Sequence, residues 1–460
     1  MSARGGLAAR ALRLLPPGTQ LVVGGTALLG VASYIQLAAA GHRLDTGALS
    51  SVSVLWSLVM AISLGIFFPV EQELTRIVAA RAVRGEGAGP VLRRGAGFTL
   101  GLAALLSAVL AVVQGPLADW LFGGDRALVW AFAGTLFGMG LTYLTRGVQA
   151  GLGRFHVYGT SLALDGGLRI VLAVGMALAG VHSATAYGLL LALAPFLSFL
   201  LTLPPTLRGS GPGPVMPWPE LLPNLGMMIC SQVLAQFVVN ASVLSMQVLS
   251  PRQTGLVAAV LQAAVLCRVP LFVFGSMQPT LMTGLSTAVT AGDRAGFRRM
   301  LLRTVAVVSG LGLAGGVPAV LLGPWLIRVF FKAPPGLGDL DFLWFSLGTV
   351  FYMLAMVLGQ ALLATHQHRQ QLLCWAAGTA VLIGVTCLPG APALRVELGY
   401  ALGSAATALA MLALLARKRT RRARSAAEAE RSAASSEAPE QLVTDESDPR
   451  PVWSTRVRQP

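Results

Sequence analysis

The chain has 460 residues, 55% hydrophobic and only 12% charged, with a formal net charge of +15 and a mean hydropathy of +0.70. Soluble domains carry about 25% charged residues, so this composition excludes a conventional soluble enzyme. The basic residues are interrupted by apolar stretches and cannot line one continuous groove, which argues against nucleic acid as a partner.

Twelve apolar segments follow in chain order: residues 19–40, 48–70, 97–115, 127–150, 160–181 and 184–203, then 221–249, 254–283, 304–322, 341–364, 371–388 and 398–416. Each is about long enough to cross a bilayer. Backbone in lipid must satisfy its own hydrogen bonds, so each segment is expected to be a helix. Outer-membrane strands would alternate in polarity over about ten residues, and no such alternation is seen. The first segment has a basic start and small residues at Ala38, Ala39 and Ala40, as a cleaved signal would. Its apolar length and the eleven segments that follow favour a retained helix.

Lysine and arginine set the expected orientation. With the N-terminus inside, 22 basic residues flank the segments on the inside. Six lie outside: Arg43, Arg126, Arg252, Arg328, Lys332 and Arg395. Positive charge concentrates on the cytoplasmic side, so both termini are expected in the cytoplasm. The basic run at 417–424 reads as a stop signal touching anionic lipid. From Ala426 the chain is rich in Ala, Ser, Glu and Pro and is expected to be disordered.

The two halves echo each other. Leu74 and Leu285 close the second and eighth segments 211 positions apart, and Gln36 and Gln247 keep that spacing. Gln149-Ala150-x-Leu152 returns as Gln360-Ala361-x-Leu363 at the same offset. The expected fold is an all-α polytopic membrane protein with two parallel six-helix bundles around a central cleft. The bundles are residues 1–203 and 221–416, joined by a linker at 204–220 and followed by a tail at 417–460. Parallel repeats of this kind work by rocking one bundle against the other.

A charge at the bilayer centre costs about 2.5–3.5 kcal/mol on insertion scales, so each polar residue there needs a reason. Gln232, Gln236 and Asn240 share one helix face at four-residue spacing, and Gln247 roughly continues it. They read either as interhelical hydrogen-bond glue or as a hydrated wall for sugar hydroxyls, because amides both donate and accept. Gln36, the repeat partner of Gln247, joins this set. Arg268 precedes Val269-Pro270 in the eighth segment with no acidic neighbour one turn away. It reads as a cleft cation for an anionic substrate, since guanidinium forks match phosphate oxygens, or as the partner of a distant carboxylate or carbonyl. Asp165 and Arg169 are four apart, as in an intrahelical pair; Asp165 is alternatively a protonatable coupling site. Glu71 and Glu73, beside Arg76, are expected at the inner interface as gating groups.

Several chemistries lack their residues. There is no Gly-x-x-x-x-Gly-Lys phosphate loop. Cys230, Cys267, Cys374 and Cys387 lack metal spacing and are expected as buried small hydrophobes. His366 and His368 form a pair without a third ligand. Neither a cofactor, a metal nor an enzymatic activity is expected.

Three stretches carry a family resemblance. They are Phe68-Pro69-Val70-Glu71-Gln72-Glu73-Leu74-Thr75-Arg76, then Arg146-Gly147-Val148-Gln149-Ala150-Gly151-Leu152-Gly153-Arg154-Phe155, then Leu285-Ser286 with Ala291-Gly292-Asp293-Arg294. With the six-plus-six layout they resemble bacterial polysaccharide flippases of the O-antigen and teichoic-acid type. Those belong to the MATE-like multidrug/oligosaccharidyl-lipid/polysaccharide exporter superfamily. The resemblance covers about residues 15–416. It implies a plasma-membrane flippase for lipid-linked oligosaccharide, surrounded by membrane lipids and working beside a polysaccharide polymerase or glycosyltransferases. It also implies that Arg268 meets the pyrophosphate. The chain departs from the family's Leu-Pro-x-Leu-Ser exit of the eighth helix, where Thr283 stands for the proline, and it shows no acidic cluster on the seventh, eleventh and twelfth segments. A multidrug antiporter of the same fold and a non-transport scaffold for glycan assembly are the alternatives.

Overall fold

The computed structural model describes residues 19–249, 260, 263–264, 266–331 and 337–436. Its elements are helices, with no strand among the described residues. In chain order they begin with α1 (Thr19–Gly41) and α2 (Thr46–Ile62), which passes through one π-helical turn (Ser63–Phe67) into α3 (Phe68–Val83). Then come α4 (Gly89–Leu121), α5 (Arg126–Gly151), α6 (Phe155–Leu178), α7 (Ala184–Ser210) and α8 (Trp218–Leu249). The remainder are α9 (Val269–Gly275), α10 (Gln278–Thr290), α11 (Arg294–Phe331), α12 (Asp339–Ala364), α13 (His368–Thr386) and α14 (Pro392–Ser436). Ten helices among the described residues are long and apolar enough to cross a membrane, and the chain is a multi-pass membrane protein.

Four expected boundaries move, each for a local reason. The second span continues to Val83 rather than stopping at residue 70, because Glu71, Glu73, Arg76 and Arg81 are buried against neighbouring helices. A hydropathy reading counts such residues as aqueous. The expected single helix at 254–283 is broken: Pro270 and Pro279 occupy the first turns of α9 and α10. A proline there loses no intrahelical bond. Residues 254–259, 261–262 and 265 of that segment lie outside the described residues. The expected linker at 204–220 is helical up to Ser210, through Pro204 and Pro205. The last helix runs on to Ser436, beyond the expected span end, over Ala, Arg and Glu residues of high helix propensity; residues 437–460 lie outside the described ones. Residues 1–412 and 413–460 are separate units.

Packing is closest where side chains are smallest. α1 runs along α6 with Gly25 against Gly159 and Leu162, and Gly166 against Leu28 and Leu29. Small residues let membrane helices approach backbone to backbone. α3 lies on α5 in the same way: a Cβ on Gly147 would stand 2.8 Å from the carbonyl oxygen of Glu71, and one on Gly151 2.6 Å from Val78 Cβ. α5 and α12 are buried along most of their length.

Candidate functional site

The first polar centre lies inside the early helices. Arg169 Nε donates to Asp165 Oδ1 at 2.9 Å, and Arg146 Nη2 donates to Asp165 Oδ2 at 3.3 Å. Arg146 also donates through Nε to Ser161 Oγ at 3.1 Å. Asp165 is 0% exposed, Arg169 1% and Arg146 2%. One carboxylate thus serves two guanidiniums. Beside it, Tyr158 donates its hydroxyl to Glu71 Oε1 at 2.7 Å. Glu71 is 2% exposed. It sits more than three turns before the end of α3 and points toward α6.

Glu73 faces another way, into the end of the molecule that carries the turns at 84–88, 152–154, 211–217, 291–293 and 365–367. These turns are flanked by clusters of arginine, at 76–94 and 294–303 above all, and we call this the basic end. Glu73 is 0% exposed. It receives Arg76 Nε at 2.8 Å and Nη2 at 2.7 Å. Arg76 Nη1 lies 3.1 Å from His366 Nδ1. Asn224 Nδ2 of α8 reaches Glu73 Oε1 at 3.4 Å. Thr283 donates to the carbonyls of Ala150 and Pro279, both at 2.9 Å. Thr283 thereby ties α10 to α5. Met228, Met282 and Leu363 form an apolar cluster of α8, α10 and α12. Among the described residues, the hydrogen bonds joining residues before 204 to residues after 220 gather at this end.

Arg268 defines the second centre. It is half-buried just before α9. Its Nη2 donates to Ser242 Oγ at 2.9 Å, and its guanidinium lies 5.5 Å from the ring of Tyr400. Tyr400 is fully buried, with its hydroxyl 3.3 Å from Thr349 Oγ1. Arg268 Nε is buried without a hydrogen-bond partner. Among the described residues no carboxylate comes within ion-pair distance of it.

The amides on α8 grade in exposure. Gln232 is buried, Gln236 half-buried and Asn240 exposed, with Asn240 Nδ2 donating to the Gln236 carbonyl at 2.8 Å. The side chain of Gln247 lies outside the described residues. Gln36 does not join this row. It is 0% exposed, on the side of α1 that carries Ala32 and Ala40, and neither amide atom has a partner. The cysteines divide: Cys267 and Cys374 are buried, whereas Cys230 and Cys387 are exposed, contrary to expectation.

Residues of these centres that the sequence did not single out are Tyr158, Tyr400 and Glu397. Glu397 is 0% exposed, and neither carboxylate oxygen has a hydrogen-bond partner. It sits one position before the expected start of the last span, while α14 starts earlier, at Pro392. The tyrosines reach partners far away in sequence, so no local pattern marks them.

No protein-family model matches the chain. An uncharacterised protein of Mycobacterium tuberculosis is 26% identical over 392 residues, 81% of this chain and 85% of the relative. An uncharacterised protein of Mycobacterium bovis is 28% identical over 241 residues, 51% of this chain and 53% of the relative. Among solved structures, the Vibrio cholerae MATE transporter VcmN in its bent form superposes with a TM-score of 0.71 at 15% identity, covering 91% of this chain and 99% of that one. The MATE transporter ClbM in complex with Rb+ gives 0.68 at 18% identity, covering 87% and 95%. A MOP superfamily transporter from Pyrococcus furiosus gives 0.68 at 14% identity, covering 88% and 98%. The fold is that of the MATE transporters, and these structural neighbours are transporters rather than enzymes.

Proposed function

We propose that this chain is an alternating-access exporter of lipid-linked oligosaccharide, and that the anionic pyrophosphate of its cargo is met by Arg268. The observation that carries this reading is the company Arg268 keeps. A membrane arginine is normally neutralised by a carboxylate. Arg76 has Glu73, and Arg146 and Arg169 share Asp165. Arg268 has a serine hydroxyl and an aromatic face, which hold the guanidinium without cancelling its charge. That leaves a positive site for a phosphate fork. The exposed end of the α8 amide row supplies donors and acceptors suited to sugar hydroxyls. The basic end is cytoplasmic in this reading, and the bonds gathered there describe a state closed on that side.

The competing reading is a multidrug antiporter of the same fold. A cationic cargo calls for uncompensated negative charge: Asp165 is doubly compensated, and Glu397, buried without an ion-pair partner among the described residues, is the carboxylate this reading would use. In the Pyrococcus furiosus transporter, reverse polarity of the binding pocket suggests a different function, so within this fold pocket charge need not be constant. The deciding experiment deletes the gene and complements it with wild type or Arg268→Ala. Lipid-linked oligosaccharides are then quantified by mass spectrometry with leaflet-selective labelling. Accumulation of an inner-leaflet intermediate, relieved by wild type only, is expected. An unchanged lipid pool together with drug sensitivity in the deletion strain would overturn the reading in favour of the antiporter.

A further inference from the structure

We propose that His366 and His368 form a proton-sensitive latch that keeps the basic end shut only while both imidazoles are neutral. The latch rests on alternating access but not on the identity of the cargo.

The geometry disfavours a charged ring at His366. Arg76 Nη1 lies 3.1 Å from Nδ1 and 3.3 Å from Nε2 of that imidazole. One atom that near to both nitrogens stands over the ring rather than along either lone pair. An imidazolium there would meet the guanidinium as a like charge at contact distance. The backbone holds the ring there against its own preference. His366 has φ of 59°, and it is the sole non-glycine residue with positive φ among the described residues. Conformations of that kind cost energy and persist where the surroundings impose them. The turn that carries His366 links α12 to α13, whereas Arg76 belongs to α3, so the contact crosses from early helices to late ones.

His368 adds a second titratable ring. It is 3% exposed, and neither ring nitrogen has a hydrogen-bond partner. Its ring stands edge to face with that of His366, 6.4 Å between centroids. The charged neighbours are Glu73 and Arg76 of α3, with Glu220 at the start of α8 acting on Arg76. The sequence of α10 and the last turns of α12 contain no charged residue. Burial pushes the His368 imidazole down to about 4; Glu73 pulls it up, and Arg76 and His366 press it further down.

The sign follows from proton linkage. In the closed state His368 binds its proton more weakly than an imidazole in water, whose ordinary value is about 6.5. Closure is therefore fully favoured above that value. Below it the closed-to-open ratio falls by about tenfold per pH unit for one imidazole. Protonated His366 adds to this, because it faces Arg76 as a like charge.

The test uses the full chain in lipid nanodiscs. The four cysteines are replaced, spin labels are placed at exposed Ala82 and Gln370, and the distance distribution is measured between about pH 8 and pH 5, either side of the free imidazole value. A single short distance at the alkaline end, giving way to a longer one as pH falls through about 6.5, is expected. His366→Asn/His368→Asn, in which Asn tolerates the left-handed backbone, is expected to flatten that pH dependence. A wild-type distribution that does not move with pH overturns the latch without any variant. So does a double variant that responds as wild type does. If farnesyl pyrophosphate, a short polyprenyl pyrophosphate, opens this end while pH does not, alternating access stands and the latch alone fails.

Discussion

The two membrane-buried arginine centres differ in what completes them. Arg146 and Arg169 are completed by Asp165, inside a bundle whose helices touch through glycine. Arg268 is completed by a hydroxyl and a ring, next to prolines that interrupt the helix. The first centre still has two guanidiniums to one carboxylate, and Arg169 Nη1 is buried without a partner, but all three side chains are shut inside the bundle. The second is half-buried and has no carboxylate within ion-pair distance among the described residues; in the proposed reading it is the place where an anion adds rather than displaces a bond. A buried ion pair is costly to break because it strands its partner, whereas an arginine held by neutral groups leaves no stranded charge when it is removed. In the proposed reading the same residue type supports structure in one place and recognition in the other.

That contrast can be broken by substitution. Asp165→Asn strands two guanidiniums, and a loss of about 3–5 kcal/mol is expected, read as thermal unfolding in detergent. A variant that unfolds as wild type would remove the distinction between the centres. Gly147→Ala places a methyl 2.8 Å from the Glu71 carbonyl oxygen and is expected to cost about 1–3 kcal/mol in the same assay. Tyr158→Phe removes the hydroxyl that reaches Glu71. A bond to a charged group is worth about 1.5–3 kcal/mol, and one to a neutral group about 0.5–1.5, so the size of this loss also reports how Glu71 is protonated. Arg268→Ala is expected to change stability least: a bond to a charged group, about 1.5–3 kcal/mol, and a ring contact are lost, but so is the cost of holding an uncompensated charge half-buried, so the net loss should be smaller than that of Asp165→Asn. Its effect should fall on export. A large loss of stability with Arg268→Ala would place this arginine with the structural group.

The sequence shows the membrane class and most of the spans, because a long apolar run has few alternatives in lipid. It shows the Asp165–Arg169 pair as well, since four-residue spacing on a helix is local information. It does not show which way Glu71 and Glu73 face. They are two residues apart on α3, so they point to different neighbours, Tyr158 for one and Arg76 with Asn224 for the other. Arg146 reaches Asp165 across two helices, and Arg268 reaches Tyr400 across most of the second half. Such partners are decided by packing. Thr283 reads in sequence as a lost proline, and only its bond to the Ala150 carbonyl shows what it gains.

The π-helical turn at Ser63–Phe67 has a consequence for how this chain tolerates change. A π turn holds one residue more than the α turn it replaces. Removing a single residue from 63–67 therefore yields a continuous α-helix and leaves α2 and α3 in phase with their neighbours. The same deletion elsewhere in a span turns everything beyond it by about 100°, carrying Glu73 and Arg76 away from Asn224 and His366 if made within the first turn of α3. Among the described residues this is the one π turn, and so the place inside a helix where a residue can be lost with the register kept.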